Sequence, residues 1–293
     1  VSEAAVVMRP IGVFDSGVGG LTVLRALIAQ LPAEDFVYLG DTARLPYGTK
    51  SPETVVRYAL QAADALISRG VKALIVACNT ASAVALPALR ARHAKLPVIG
   101  VVEPGAAAAV QASLSGRIGV IGTAATVRDG AYTRAIAALR PDAQVRALAC
   151  QLFVALAEEG WTDGEVARTV ARQYLEPLFE GPRETGGNAG RGAALPSDTL
   201  VLGCTHFPLL LPVIREVVGA SVCVVDSAAT TAQSAQQQLA ARGLLRAESA
   251  AAPAPASGTL RFLATDGIAQ FAEVGGRFLG RGIPTARVEL VDL

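Results

Sequence analysis

The chain has 293 residues, of which 52% are hydrophobic, 5% aromatic and 17% charged. At about 150 residues per domain, this length gives about two domains, each able to bury its own core, which excludes disorder as the main state. The 26 Lys and Arg nearly cancel the 25 Asp and Glu, for a net charge of +1, so the basic footprint of a nucleic-acid binder is missing and a small or neutral-surface partner is favoured.

In chain order, short apolar runs end at polar turns and lead into amphipathic stretches. Ile11 to Phe14 runs into DSGVGG (Asp15 to Gly20) and LTVLRALIAQL, and Phe36 to Leu39 runs into GDTARLPYG (Gly40 to Gly48) and SPETVVRYALQAADALISRG. Ala73 to Ala77 leads into CNTASAVALPALRARH, and Val98 to Val102 ends at EPGAAAAV. Four such units predict a parallel sheet covered by helices on both faces. A second series follows. IGVIGT (Ile118 to Thr123) repeats the pattern of IGVFDS and precedes one helix over TVRDGAYTRAIAALR, and Gln144 to Cys150 precedes a helix containing Glu158. Leu200 to Gly203 precedes CTHFPLLLPVIREVVG, and Val222 to Val225 precedes DSAATTAQSAQQQLAARG.

The expected fold class is α/β: two similar three-layer domains with mostly parallel sheets, related by a pseudo-two-fold, with the site in the cleft between them. Residues 1–102 with 228–293 form the first expected domain and residues 103–227 the second. Gly181 to Ser197 and the AAPAPASG stretch ending at Gly258 read as loops. The tail from Thr259 returns to the first domain.

Mean hydropathy is +0.42, but no run approaches the roughly 18 apolar residues needed to span a membrane. Val1 to Pro10 lacks the basic start and continuous apolar stretch of a secretory signal. The expectation is a cytoplasmic protein without a membrane partner. Four cysteines, none spaced as C-x-x-C, are too sparse for a disulfide framework and are expected to be reduced.

Two turns match each other: VACNTAS (Val76 to Ser82) and LGCTHFP (Leu202 to Pro208). Each puts a cysteine, Cys78 or Cys204, after a buried-type strand and before a helix. That is the ligand-binding edge of an open parallel sheet, and a helix N-terminus aimed at sulfur favours thiolate. Two thiols facing one cleft are therefore expected. Cys150 and Cys223 read instead as small buried hydrophobes.

Asp15 and His206 stand where each could serve one thiol as acid or base. The alternatives are a helix N-cap for Asp15 and a zinc ligand for His206 beside Cys204, although His93 is the one other histidine and a metal site needs three or four ligands. Glu158 and Glu159, before Gly160, read from spacing as solvated charge. Ser16, Asn79, Thr80, Thr123, Thr126 and Thr205 are neutral donors suited to holding carboxylates, or to capping helices. A dinucleotide reading of DSGVGG fails at Thr22, where the third glycine is required. No lysine-centred cofactor motif stands out, so neither cofactor nor metal is expected.

Together FDSGVGGL, GDTARLPYG, ACNTAS, EPGA, GTAATV, LGCTHFPLL and VDSA resemble the signature segments of the bacterial glutamate racemases, within the cofactor-independent aspartate/glutamate racemase superfamily. The resemblance runs from about Ile11 to Ala228. It implies that Cys78 and Cys204 interconvert L- and D-glutamate from opposite faces, Cys78 acting on the D and Cys204 on the L enantiomer, in support of peptidoglycan synthesis. It also implies acid/base roles for Asp15 and His206, substrate contacts from Ser16, Tyr47, Gly48, Asn79, Thr80 and Thr205, and an acidic Glu158 near the site. The chain departs from the family pattern at Gln151 and Ala155, where that pattern has prolines, and in a longer Gly181 to Ser197 segment. Other superfamily isomerases, an aspartate racemase or a decarboxylase among them, and a thiol-redox or non-catalytic binding protein are the alternatives. Oligomeric state, a homodimer included, and any activator site stay open.

Overall fold

A computed structural model describes residues 3–179, 196–246 and 258–293. Most of the Gly181 to Ser197 segment, and AAPAPASG up to residue 257, lie outside the described residues.

The apolar runs become strands β1 (Ile11–Asp15), β2 (Phe36–Gly40), β3 (Ala73–Val76) and β4 (Val98–Gly100), then β5 (Arg117–Gly122), β6 (Gln144–Ala149), β7 (Thr199–Gly203) and β8 (Cys223–Asp226). The chain then returns through β9 (Leu260–Ala264) and β10 (Val288–Leu290), which extend the first sheet to the order β10-β9-β2-β1-β3-β4. The second sheet has the order β6-β5-β7-β8, and every pairing is parallel. Both series share one winding, second-first-third-fourth. In each, the chain leaves the first strand to one side and reaches the third on the other, which opens a crevice at the carboxyl ends of those two strands.

The helices in chain order are α1 (Glu3–Val7), α2 (Leu21–Gln30), α3 (Pro52–Ile67), α4 (Asn79–Arg92), α5 (Val102–Ala112), α6 (Ala124–Asp129), α7 (Ala131–Leu139), α8 (Gln151–Glu159), α9 (Gly164–Phe179), α10 (Leu211–Val218), α11 (Ser227–Ala240) and α12 (Ile268–Leu279). α3 shows why they form: the Ser51 side chain accepts from the Thr54 N–H as an N-cap, Pro52 opens the first turn, and Val55, Ala59, Ala62, Ala63 and Leu66 bury one stripe. That stripe joins Phe14, Leu39 and Val76 on one face of the first sheet. The other face carries Ile11, Val13 and Ile75 against Leu24 of α2, Ala232 of α11 and Phe271 of α12. The second sheet is likewise packed on both faces. Among the described residues, no helix is long and apolar enough to cross a membrane.

Three local expectations change. The stretch TVRDGAYTRAIAALR is two helices, because Gly130 takes the left-handed conformation (φ 74°) that ends α6 before α7 begins. The strand expected over Val98 to Val102 stops at Gly100, and Val102 already belongs to α5. Cys223 is exposed rather than buried, because β8 is an edge strand covered on fewer sides.

The first sheet also buries an ion pair. Lys72 Nζ lies 2.5 Å from Glu34 Oε2 and donates to the Val7 carbonyl at 2.7 Å, and Glu34 Oε1 accepts from the Arg246 N–H at 2.8 Å. Lys72 thereby ties α1, and Glu34 the stretch after α11, to the sheet. Removing one partner of such a pair strands a buried charge, so Glu34→Ala is expected to cost about 3–5 kcal/mol in urea unfolding. A cost below about 1 kcal/mol refutes this reading.

Candidate active site

Between the sheets lies a cavity of about 380 Å³ lined by both Cys78 and Cys204, a volume toward the small end of ligand pockets. Each thiol follows the third strand of its sheet, at the crevice the shared winding creates.

Cys78 is the N-cap of α4, and its sulfur accepts the Ala81 N–H at 3.4 Å and donates to Ser16 Oγ at 3.6 Å. The helix N–H favours thiolate, as expected from the sequence. It does not win: burial first, and the Asp15 charge second, push the Cys78 thiol up to about 12. Cys78 therefore carries its proton at neutral pH.

Cys204 has different surroundings. No α-helix starts at its sulfur, because Phe207–Leu210 form a 3-10 turn and α10 begins at Leu211. Its neighbour is His206, whose Nδ1 lies 3.8 Å from the sulfur and 3.4 Å from Thr205 Oγ1, while Nε2 lies 3.0 Å from Glu158 Oε1. Burial acts to strip the imidazole of its proton, but the hydrogen bonds and charges of Cys204 and Glu158 outweigh it and raise His206 to about 10. Glu158 is thus half-exposed but paired, rather than only solvated as its spacing suggests.

Asp15 is fully buried and stands behind the wall formed by Ser16 and Gly17. It does not cap α2, whose N-cap position is Gly20; its Oδ2 accepts the Gly17 N–H at 3.0 Å. Burial raises its pKa, against the opposing His206 charge and three backbone N–H groups. The turn it begins must approach the second thiol closely: a Cβ on Gly19 would fall 2.3 Å from Thr205 Oγ1 and 2.5 Å from the His206 ring. Thr22, the residue that spoils the dinucleotide pattern, donates its hydroxyl to the Thr205 carbonyl at 2.9 Å. It ties the two turns together.

The neutral donors also gather here. The hydroxyls of Thr80, Thr123 and Thr126 lie 3.0–3.2 Å from one another, joining the first-sheet turn to the turn after β5. Thr80, Thr123 and Asn79 line the cavity, with Thr126 buried behind. Gly48 and Tyr47 close it on another side, with the Tyr47 hydroxyl proton directed to Asp41. Burial and Asp41 together raise the Tyr47 pKa, keeping it a donor. Among the described residues, no three His, Cys, Asp or Glu side chains form a metal-holding group. The arrangement puts a protonated thiol and a second thiol beside a protonated imidazole on one cavity.

Residues 11–235 match the family described as Asp/Glu/Hydantoin racemase. The chain belongs to this racemase family. It is 52% identical to a glutamate racemase from Geobacter metallireducens, over 93% of each chain. It also matches the crystal structure of a glutamate racemase isoform from Bacillus anthracis (TM-score 0.85, 36% identity, 97% of this chain and 98% of that one). A third match is the glutamate racemase of Francisella tularensis in complex with D-glutamate (TM-score 0.83, 34% identity, 98% of each).

For this racemase-family chain, Gln151 and Ala155 both line the cavity. Gln151 Oε1 accepts the Ala124 N–H at 3.2 Å, bracing the start of α6. Other residues escape the sequence reading. Asp41 accepts from Tyr47, from Arg44 Nε and, at 3.0 Å, from Thr265 Oγ1. Its signal is an acid immediately after the second strand, one position beyond the partner of Asp15. Phe278 presents its ring edge-on to His206 at 5.0 Å, and Arg277 donates to the Glu158 carbonyl at 2.5 Å. Both sit in α12, in a stretch with no motif.

Proposed function

We propose that the protein is a glutamate racemase that interconverts L- and D-glutamate with Cys78 and Cys204 as the two bases. The observation that carries this is the pair of thiols from two sheets on one cavity, one loaded with a proton and one beside an imidazolium. The Cys204 thiolate removes the α-proton of L-glutamate, and the Cys78 S–H delivers its proton to the opposite face of the carbanion, yielding D-glutamate. The reverse reaction exchanges the roles. Asp15 acts behind Cys78 and the His206–Glu158 pair behind Cys204. Ser16, Gly48, Asn79, Thr80, Thr123 and Thr205 hold the substrate, with Tyr47 and Thr126 supporting that wall. The choice of glutamate rests on the similar proteins, which are named glutamate racemases. Residues 1–102 with 228–293 carry the Cys78 half and residues 103–227 the Cys204 half. The product serves cytoplasmic peptidoglycan synthesis.

Circular dichroism of the purified, chelator-dialysed protein with L- and then D-glutamate tests this reading without added cofactor. Loss of optical activity from both enantiomers is expected, with aspartate slower by about tenfold or more, since one methylene is worth about 1–3 kcal/mol in a fitted site. Equal turnover of aspartate, or activity that appears only on adding zinc, overturns it.

A further inference from the structure

Tyr132 belongs to no motif, yet its side chain touches the turns of both thiols. We propose that Tyr132 is a positioning residue that fixes which end of the Asn79 amide faces the substrate. This rests on the glutamate-racemase reading, in which the cavity takes an amino-acid carboxylate.

An asparagine amide has two unlike ends, a carbonyl that only accepts and an NH2 that only donates. A carboxylate accepts only, so just the NH2 end can bind it. The Tyr132 hydroxyl, on α7 in the second series, donates to Asn79 Oδ1 at 2.7 Å, at the start of α4 in the first. Both residues are buried, 2% and 3% exposed. Burial also raises the phenol's pKa, so it keeps the proton it donates. With the carbonyl end held, Asn79 Nδ2 is left buried and without a hydrogen-bond partner, on a residue that lines the cavity. A buried donor without an acceptor is costly unless a ligand supplies one. A rotated amide would instead turn its oxygen toward the carboxylate, two acceptors facing each other.

The ring is seated by close packing. A Cβ on Gly203 would lie 3.0 Å from Tyr132 Cε2 and 2.8 Å from the Ile121 carbonyl, and a Cβ on Gly105 would lie 3.2 Å from Tyr132 Cε1. Gly203 immediately precedes Cys204, and Asn79 immediately follows Cys78. The phenol therefore sets the amide in a frame shared by both thiol turns. Its effect falls on substrate binding rather than on proton transfer.

Tyr132→Phe keeps the ring and removes the hydroxyl. The expected result is a KM about tenfold higher for both L- and D-glutamate, the loss of one hydrogen bond to a charged group, with kcat within about threefold of wild type. The deciding measurement is a double-mutant cycle. In an Asn79→Ala background, Tyr132→Phe is expected to change KM less than twofold, because the amide it orients is gone. An equal KM increase in both backgrounds, or a fall in kcat at constant KM, overturns the proposal and makes Tyr132 a merely structural contact. A readout that needs no Tyr132 variant uses labelling: the chain has two asparagines, Asn79 and Asn188, so [15N]asparagine gives two side-chain NH2 pairs, and Asn79→Ala identifies one. The Asn79 pair of the wild type is expected to shift on adding glutamate, and an unmoved pair overturns the proposal. Failure of the underlying reading shows separately, as wild-type protein that does not racemise glutamate.

Discussion

Cys78→Ala and Cys204→Ala are each expected to lower kcat/KM for glutamate by about 10²–10⁴-fold, the usual contribution of a positioned proton-transfer group, with the fold intact. The two enantiomers are mirror images, so their equilibrium constant in water is one. A variant must therefore lose kcat/KM by the same factor in both directions, and the two thiols cannot be told apart by that number. They can be told apart by isotope exchange. In D₂O, Cys204→Ala leaves only the D-specific thiol, so any residual washout should appear in D-glutamate without racemisation, and Cys78→Ala should show the converse in L-glutamate. With the wild type starting from L-glutamate, deuterium should appear early in the D product and scarcely in the remaining L substrate. Either variant keeping more than a tenth of the wild-type rate rules out the two-base assignment.

Much of the frame is legible in the sequence because parallel strands buried on both faces read as short apolar runs, and their carboxyl-end turns need Gly, Asp, Ser and Thr. That punctuation places Cys78 and Cys204 at equivalent turns, and it sends the tail after Thr259 back to the first sheet. Local spacing carries less where the outcome depends on partners distant in sequence. Cys78 sits at a helix N-terminus, which reads as thiolate, but burial first, and then Asp15, 63 positions earlier, reverse the sign. Glu158 reads as surface charge until His206, 48 positions later, meets it. Cys223 reads as buried because its neighbours are apolar, whereas exposure depends on the place of β8 in the sheet. Tyr132 and Phe278 have no local pattern at all. Each is a single aromatic side chain whose role comes from what another element brings to it.

His206→Asn is expected to lower kcat/KM by about 10²-fold or more, equally in both directions for the reason given for the thiols. The ring beside Cys204 carries its proton up to about pH 10, so a positive charge stands 3.8 Å from that sulfur across the neutral range. Losing it makes proton transfer at Cys204 slower than at Cys78. The primary isotope effect with α-deuterated L-glutamate should then rise while that with α-deuterated D-glutamate falls. Glu158→Gln is the graded version: it removes one of the two charges that raise the imidazole, so the basic limb of the pH profile, where the His206 proton is lost, should move to lower pH. Stability gives an independent check. The folded pKa of His206 is raised from 6.5 to about 10, so its contribution is fully present below about pH 6.5 and is lost as pH rises through about 10. The wild-type Tm should therefore fall more steeply over that window than the Tm of His206→Asn. Parallel Tm curves, or isotope effects that move together, would show that the histidine packs beside Cys204 without tuning it.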